Sequence, residues 1–72
     1  MSTQLERVYG FVKHKRRCTK FEAEEFFRNM IPGQHISAEV VNVNLRIWRR
    51  QGRIQHPTFM GEINRSSYEV KP

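Results

Sequence analysis

"NLRIWRRQGRI", residues 44–54, decides how this chain is read. It sets Leu45, Ile47, Trp48 and Ile54 among Arg46, Arg49, Arg50 and Arg53 with no acidic residue between them, and Gly52 stands where a helix needs a left-handed C-terminal residue. Ser37 has the place of an N-cap, so the spacing predicts a helix that begins after it and runs through about Gln51. On a wheel at about 100° per residue, that segment gathers Val40, Val41, Val43, Leu45, Ile47 and Trp48 into a broad apolar arc. Glu39, Asn42, Arg46, Arg49 and Arg50 fall on the opposite arc. Such segregation suits a surface made for a polyanion, and it also suits an ordinary solvated face on which long side chains cover apolar surface. Asn44 falls inside the apolar arc. A buried amide needs partners, so it is expected at the rim or bonded to backbone.

Working outward, the residues upstream predict two more helices. Thr3 and Glu6 have the spacing of a capping box, and Leu5, Val8, Tyr9 and Val12, with Phe11 beside them, recur at helical spacing over about Gln4 to Lys15. Thr19 and Glu22 repeat the box ahead of "FEAEEFFRNM", where Phe21, Phe26, Phe27 and Met30 are expected to form the buried face. Glu22, Glu24 and Glu25 favour the positive end of that helix dipole. Pro32 and Gly33 then mark a turn. Downstream, "RIQHPTFM" and "SSYEVK" have strand-like composition around "GEINR", which predicts a hairpin, with Pro57 restricting its first strand to an edge or a distorted pairing. The expected order is helix, helix, helix, hairpin: an α+β fold in one domain over residues 1–72, without internal repeats.

Length and charge narrow the function. At 72 residues the chain can bury one small core but not a large enclosed active site. Thirteen Lys and Arg stand against seven acidic residues, all Glu, for a formal charge of +6 and a pI near 10.3, and such an excess favours anionic partners. Cys18 is the only cysteine, which excludes an internal disulfide and fits a reducing compartment. No apolar run approaches membrane-spanning length and no secretory leader is evident, so a cytoplasmic protein without membrane contact is expected.

The chemistry available is that of a nucleic-acid surface. Asn42 and Arg46, at i and i+4 of one helix face, can reach base edges in a major groove, since Arg suits the guanine acceptors and Asn suits adenine. Arg49, Arg50 and Arg53 are placed to meet phosphates. A second basic block, "KHKRRCTK", contributes Lys15, Arg16, Arg17 and Lys20, which flank the same duplex in this reading, with Thr19 and Lys20 offering backbone N–H groups at a helix start. Cys18, His14, His35 and His56 lack a paired ligand spacing, so no metal site is expected. Neither a nucleophile with its base nor a phosphate-cradling glycine loop is present, so no enzyme activity, no cofactor and no small-molecule ligand are expected.

With that order of elements the chain resembles the winged-helix variant of helix-turn-helix DNA-binding domains. The residues that carry the resemblance are Val41, Leu45, Trp48, Gly52 and Ile54 at the end of the third helix, followed by "YEV" as a returning strand. The resemblance implies a recognition helix at about 38–51 and a wing with its tip near Gly61 to Arg65, which makes Arg65 a candidate backbone or minor-groove contact. It also implies a short strand near Arg17 to Thr19 that pairs with the hairpin and buries Cys18. The function expected is that of a small double-stranded DNA-binding protein, a transcriptional regulator or a phage or mobile-element accessory factor, controlled by its amount, by homodimer formation or by a protein partner. The alternative is a winged-helix adaptor that binds protein without reading DNA sequence, and shape-based RNA binding is a third possibility.

Overall fold

A computed structural model describes residues 3–71. The elements follow one another as α1 (Gln4–Lys15), β1 (Arg17–Thr19), α2 (Lys20–Arg28), α3 (Ala38–Arg50), β2 (Ile54–Gln55), β3 (Thr58–Phe59), β4 (Glu62–Ile63) and β5 (Ser67–Val70). This is an α+β fold of three helices and a C-terminal hairpin.

Each helix starts where its cap residue directs. Thr3 Oγ1 accepts from the Glu6 N–H at 3.1 Å, and Ser37 Oγ accepts from the Val40 N–H at 3.4 Å. At α2 the box is complete: Glu22 N–H donates to Thr19 Oγ1 at 3.0 Å while Thr19 N–H donates to Glu22 Oε1 at 3.3 Å. The connection from α2 to α3 is held by Ile36, which is buried and whose N–H donates to the Phe27 carbonyl at 3.2 Å, and by Arg7, which donates to the Gln34 carbonyl at 2.6 Å and lies over the Phe27 ring.

The hairpin splits into two ladders. β5 runs between β1 and β2, antiparallel to both, with Cys18 opposite Tyr68 and Ile54 opposite Val70. Beyond Pro57, β3 and β4 pair separately, and the Pro57 carbonyl accepts from Asn64 N–H at 2.9 Å where the ladder is interrupted. Phe59 faces Glu62 across a two-residue loop in which Met60 and Gly61 both have positive φ, 52° and 82°. That is the mirror-image turn whose twist matches a hairpin. The tip therefore lies at Met60–Gly61, and Arg65 belongs to the returning limb instead of the tip.

The core is formed by Val8, Phe11 and Val12 of α1, Ala23 and Phe27 of α2, Ile36 of the α2–α3 connection, Val41, Leu45 and Trp48 of α3, and Cys18, Ile54 and Tyr68 of the sheet. The structure differs from expectation at three places. In α2 the buried stripe is Ala23 and Phe27, four residues apart, whereas Phe21 and Phe26 are 59% and 45% exposed, because so short a helix has a single stripe covered by its neighbours. In α3, Val43 is exposed; at about 100° per residue it lies roughly 200° from Val41, on the side of Arg46 and Arg50. Asn44, expected at the rim or bonded to backbone, is instead 7% exposed inside the stripe, and its Nδ2 has no hydrogen-bond partner among the described residues.

Leaving a donor unpaired in the core costs about 1–3 kcal/mol. Asn44→Leu, which replaces the amide by an apolar group of similar size, is therefore expected to stabilise the fold by about 1 kcal/mol and to raise Tm by about 4–8 °C. Thermal unfolding followed by circular dichroism checks this, and an unchanged or lower Tm would show that the amide is satisfied.

Candidate nucleic-acid interface

The exposed face of α3 follows from its buried one. Because Val41, Leu45 and Trp48 turn inward, Arg46, Arg49 and Arg50 turn to solvent, and all three are exposed. The one ion pair among the described residues joins Arg17 to Glu69 at 2.9 Å, so none of the α3 guanidinium groups is neutralised by a carboxylate there. In the last turn, Arg49 and Arg50 also complement the helix dipole.

Arg46 stands at a concave place between α2, α3 and the C-terminal hairpin. Lys20, Asn42, Arg46, Arg65 and Tyr68 line a polar hollow of about 240 Å3. Four residues expected from sequence thus meet at one spot, although they come from three parts of the chain. Tyr68 is buried, and burial pushes its hydroxyl pKa upward against the opposing influence of the Arg49 and Arg46 charges. Its neutral ring packs against the His56 ring, 4.7 Å between centroids, and His56 Nδ1 lies 2.9 Å from the Ser67 carbonyl. Tyr68 closes one side of the hollow, and Lys20, Arg46 and Arg65 bring cationic side chains to it.

Asn42 is placed at this hollow but is engaged within the protein. Its Nδ2 donates to Glu24 Oε1 at 2.6 Å and to the Ala38 carbonyl at 2.9 Å, which uses both amide hydrogens. Pairing with adenine needs one of them. In this structure Asn42 ties α3 to α2, and of the two side chains only Arg46 is exposed.

The basic block "KHKRRCTK" does not form one surface. Arg17 is held by Glu69, whose carboxyl pKa is drawn down by the hydrogen bonds from Gln55 and Arg17. Lys15 lines a groove between α1 and α2, Lys20 lines the hollow beside Arg46, and Lys13 lies over the Tyr9 ring. Arg16 is exposed at the end of α1 with φ 69°. The helix start at Thr19 and Lys20 is not open to a phosphate in the expected way, because Lys20 N–H donates to the Ser66 carbonyl at 2.7 Å and the Glu22 carboxylate occupies the cap. Arg53 lies over both Tyr9 and Trp48, 5.9 and 5.8 Å from their ring centroids, and forms with Lys13 a second cationic group at the other end of α3.

No family model, curated protein or solved structure matches the chain.

Two members of the site carry no local signal in the sequence. Tyr68 reads as one residue of an alternating strand and Glu24 as one of several dipole-favouring carboxylates. What gives them their places is contact across the fold. Among the described residues no three His, Cys, Asp or Glu side chains come together as a ligand set, and Cys18 is buried with its pKa pushed up to about 11, first by burial, then by the Glu22 charge, with Lys15 opposing. No helix is long and apolar enough to cross a membrane among the described residues.

Proposed function

We propose that this chain is a winged-helix protein that binds double-stranded DNA, with α3 in the major groove and Lys20 and Arg65 holding the phosphate backbone on either side of Arg46. The observation that carries this reading is the set of exposed α3 arginines with no carboxylate partner among the described residues. Unpaired guanidinium groups on a helix that is capped and packed offer bidentate donors at low reorganisation cost. In this reading Arg46 meets the base edges, while Arg49, Arg50, Arg16 and the Lys13–Arg53 group supply contacts that position the duplex without reading it. A transcriptional regulator, or a phage or mobile-element accessory factor, acting in the cytoplasm needs no more than this.

Fluorescence anisotropy with random duplex DNA, single-stranded DNA and duplex RNA tests the proposal. About five neutralised phosphates would give a slope of log K against log salt near −4.5, a loss of about 500-fold between roughly 50 and 200 mM salt. Duplex DNA is expected to bind tightest. A flat salt response, or preference for duplex RNA, would overturn the reading.

A second reading, an adaptor that binds protein, is favoured by one specific observation: Phe26 and Met30 open onto an apolar groove beside α1. It predicts weak, salt-insensitive DNA binding in the same titration.

A further inference from the structure

Two apolar features have no partner among the described residues. One is convex: at the tip of the β3–β4 ribbon Phe59, Met60 and Ile63 are 73%, 88% and 59% exposed. The other is concave: Phe11, Phe26 and Met30 line the groove between α1 and α2, about 490 Å3 in volume, with Arg7, His14 and Lys15 also lining it. The exposed tip residues are not seated in their own chain's groove. The molecule is elongated, 41 Å by 20 Å by 19 Å.

We propose that the ribbon tip of one copy docks in the α1–α2 groove of a second copy, a head-to-tail contact. Charge favours this occupant. Glu62 stands opposite Phe59 at the tip and has no ion-pair partner among the described residues, while the groove carries cationic side chains from Arg7 and Lys15. Size favours it as well, since the groove has room for one or two large apolar side chains and the tip offers Met60 and Phe59. The backbone adds an independent reason. Met60 takes the first position of a mirror-image turn at φ 52°, where Asn, Asp or Gly is at ease and a long side chain is strained. Strain at such a site points to a role for the side chain outside its own fold. Because tip and groove are different surfaces, a docked pair still presents one free tip on one copy and one free groove on the other, so the contact can repeat.

The proposal concerns the protein without nucleic acid, and its test is separate from that of DNA binding. In sedimentation velocity of the full chain, raised from about 10 μM to about 1 mM because a contact this small belongs to the weak class, the average mass is expected to climb with concentration. The double variant Phe59→Ser with Met60→Asn removes the knob while giving the turn a residue it prefers, and Phe26→Ser removes a groove wall; each is expected to weaken self-association about tenfold or more. An equimolar mixture of the two is expected to form a dimer that grows no further, since it retains one intact tip and one intact groove. Lys15→Glu, which leaves the apolar packing in place, is expected to weaken the contact, and Glu62→Lys in the same chain to restore it. A wild-type chain that stays monomeric over this range, variants that associate like wild type, or a mixture that stays monomeric or keeps growing would each overturn the proposal.

Discussion

Arg46→Ala is expected to erase preference among duplex sequences, by about 1–3 kcal/mol at the base pair it reads, while binding to random duplex falls only by the loss of one cation. The expectation follows from position. Arg46 is exposed on α3, lines the hollow formed with Lys20, Arg65 and Tyr68, and its neighbour Asn42 is committed to Glu24 and Ala38. Arg46→Lys separates geometry from charge, since it keeps the cation but loses the planar fork; sequence preference should drop while the salt slope stays. Arg16→Ala and Arg53→Ala should instead weaken all sequences alike. Selection from a random duplex library, followed by anisotropy on selected and scrambled sites, reads both quantities. Equal behaviour of Arg46, Arg16 and Arg53 variants would remove the distinction between a reading residue and positioning ones.

The parts of this fold that were legible in the sequence are those fixed within a few residues. Thr3, Thr19 and Ser37 mark the helix starts because an N-cap acts on an N–H three residues away, and all three hydroxyls accept that bond here. The outward turn of Arg46, Arg49 and Arg50 was legible too, because helical periodicity alone separates them from Leu45 and Trp48. The turn at Met60–Gly61 was less so, since a Met at positive φ contradicts its own propensity and Gly61 alone suggests a later tip. Contacts between distant segments were not legible. Nothing near Arg17 announces Glu69, and nothing near Asn42 announces Glu24, so one expected phosphate ligand proved to be ion-paired and one expected base reader to be a tie between helices. The widths of buried stripes were likewise hidden. A pattern shows which face is apolar, but only the neighbours decide how much of it is covered, and at α2 they leave Phe21 and Phe26 in solvent.

The largest stability effect is expected at Trp48. Its ring is 9% exposed, stacks on Tyr9 with 4.8 Å between centroids, and donates from Nε1 to the Leu5 carbonyl at 2.7 Å, so one side chain joins α3 to two turns of α1. Trp48→Ala is expected to cost about 3–5 kcal/mol. A single core in a chain of this length supplies about 3–5 kcal/mol in all, so the variant should be largely unfolded at 25 °C. Trp48→Phe keeps an aromatic ring against Tyr9 and gives up the hydrogen bond, a loss of about 0.5–1.5 kcal/mol. Far-ultraviolet circular dichroism with urea titration ranks the two. The same pair probes the interface, because the inward pull of Trp48 is what turns Arg46, Arg49 and Arg50 outward on one rigid helix. Trp48→Phe should therefore retain the salt slope of the wild type in duplex binding, whereas Trp48→Ala should lose sequence preference and helix content together. A Trp48→Ala chain that stayed helical and cooperative would mean that α3 is held by other contacts and that the orientation of the arginines does not depend on this ring.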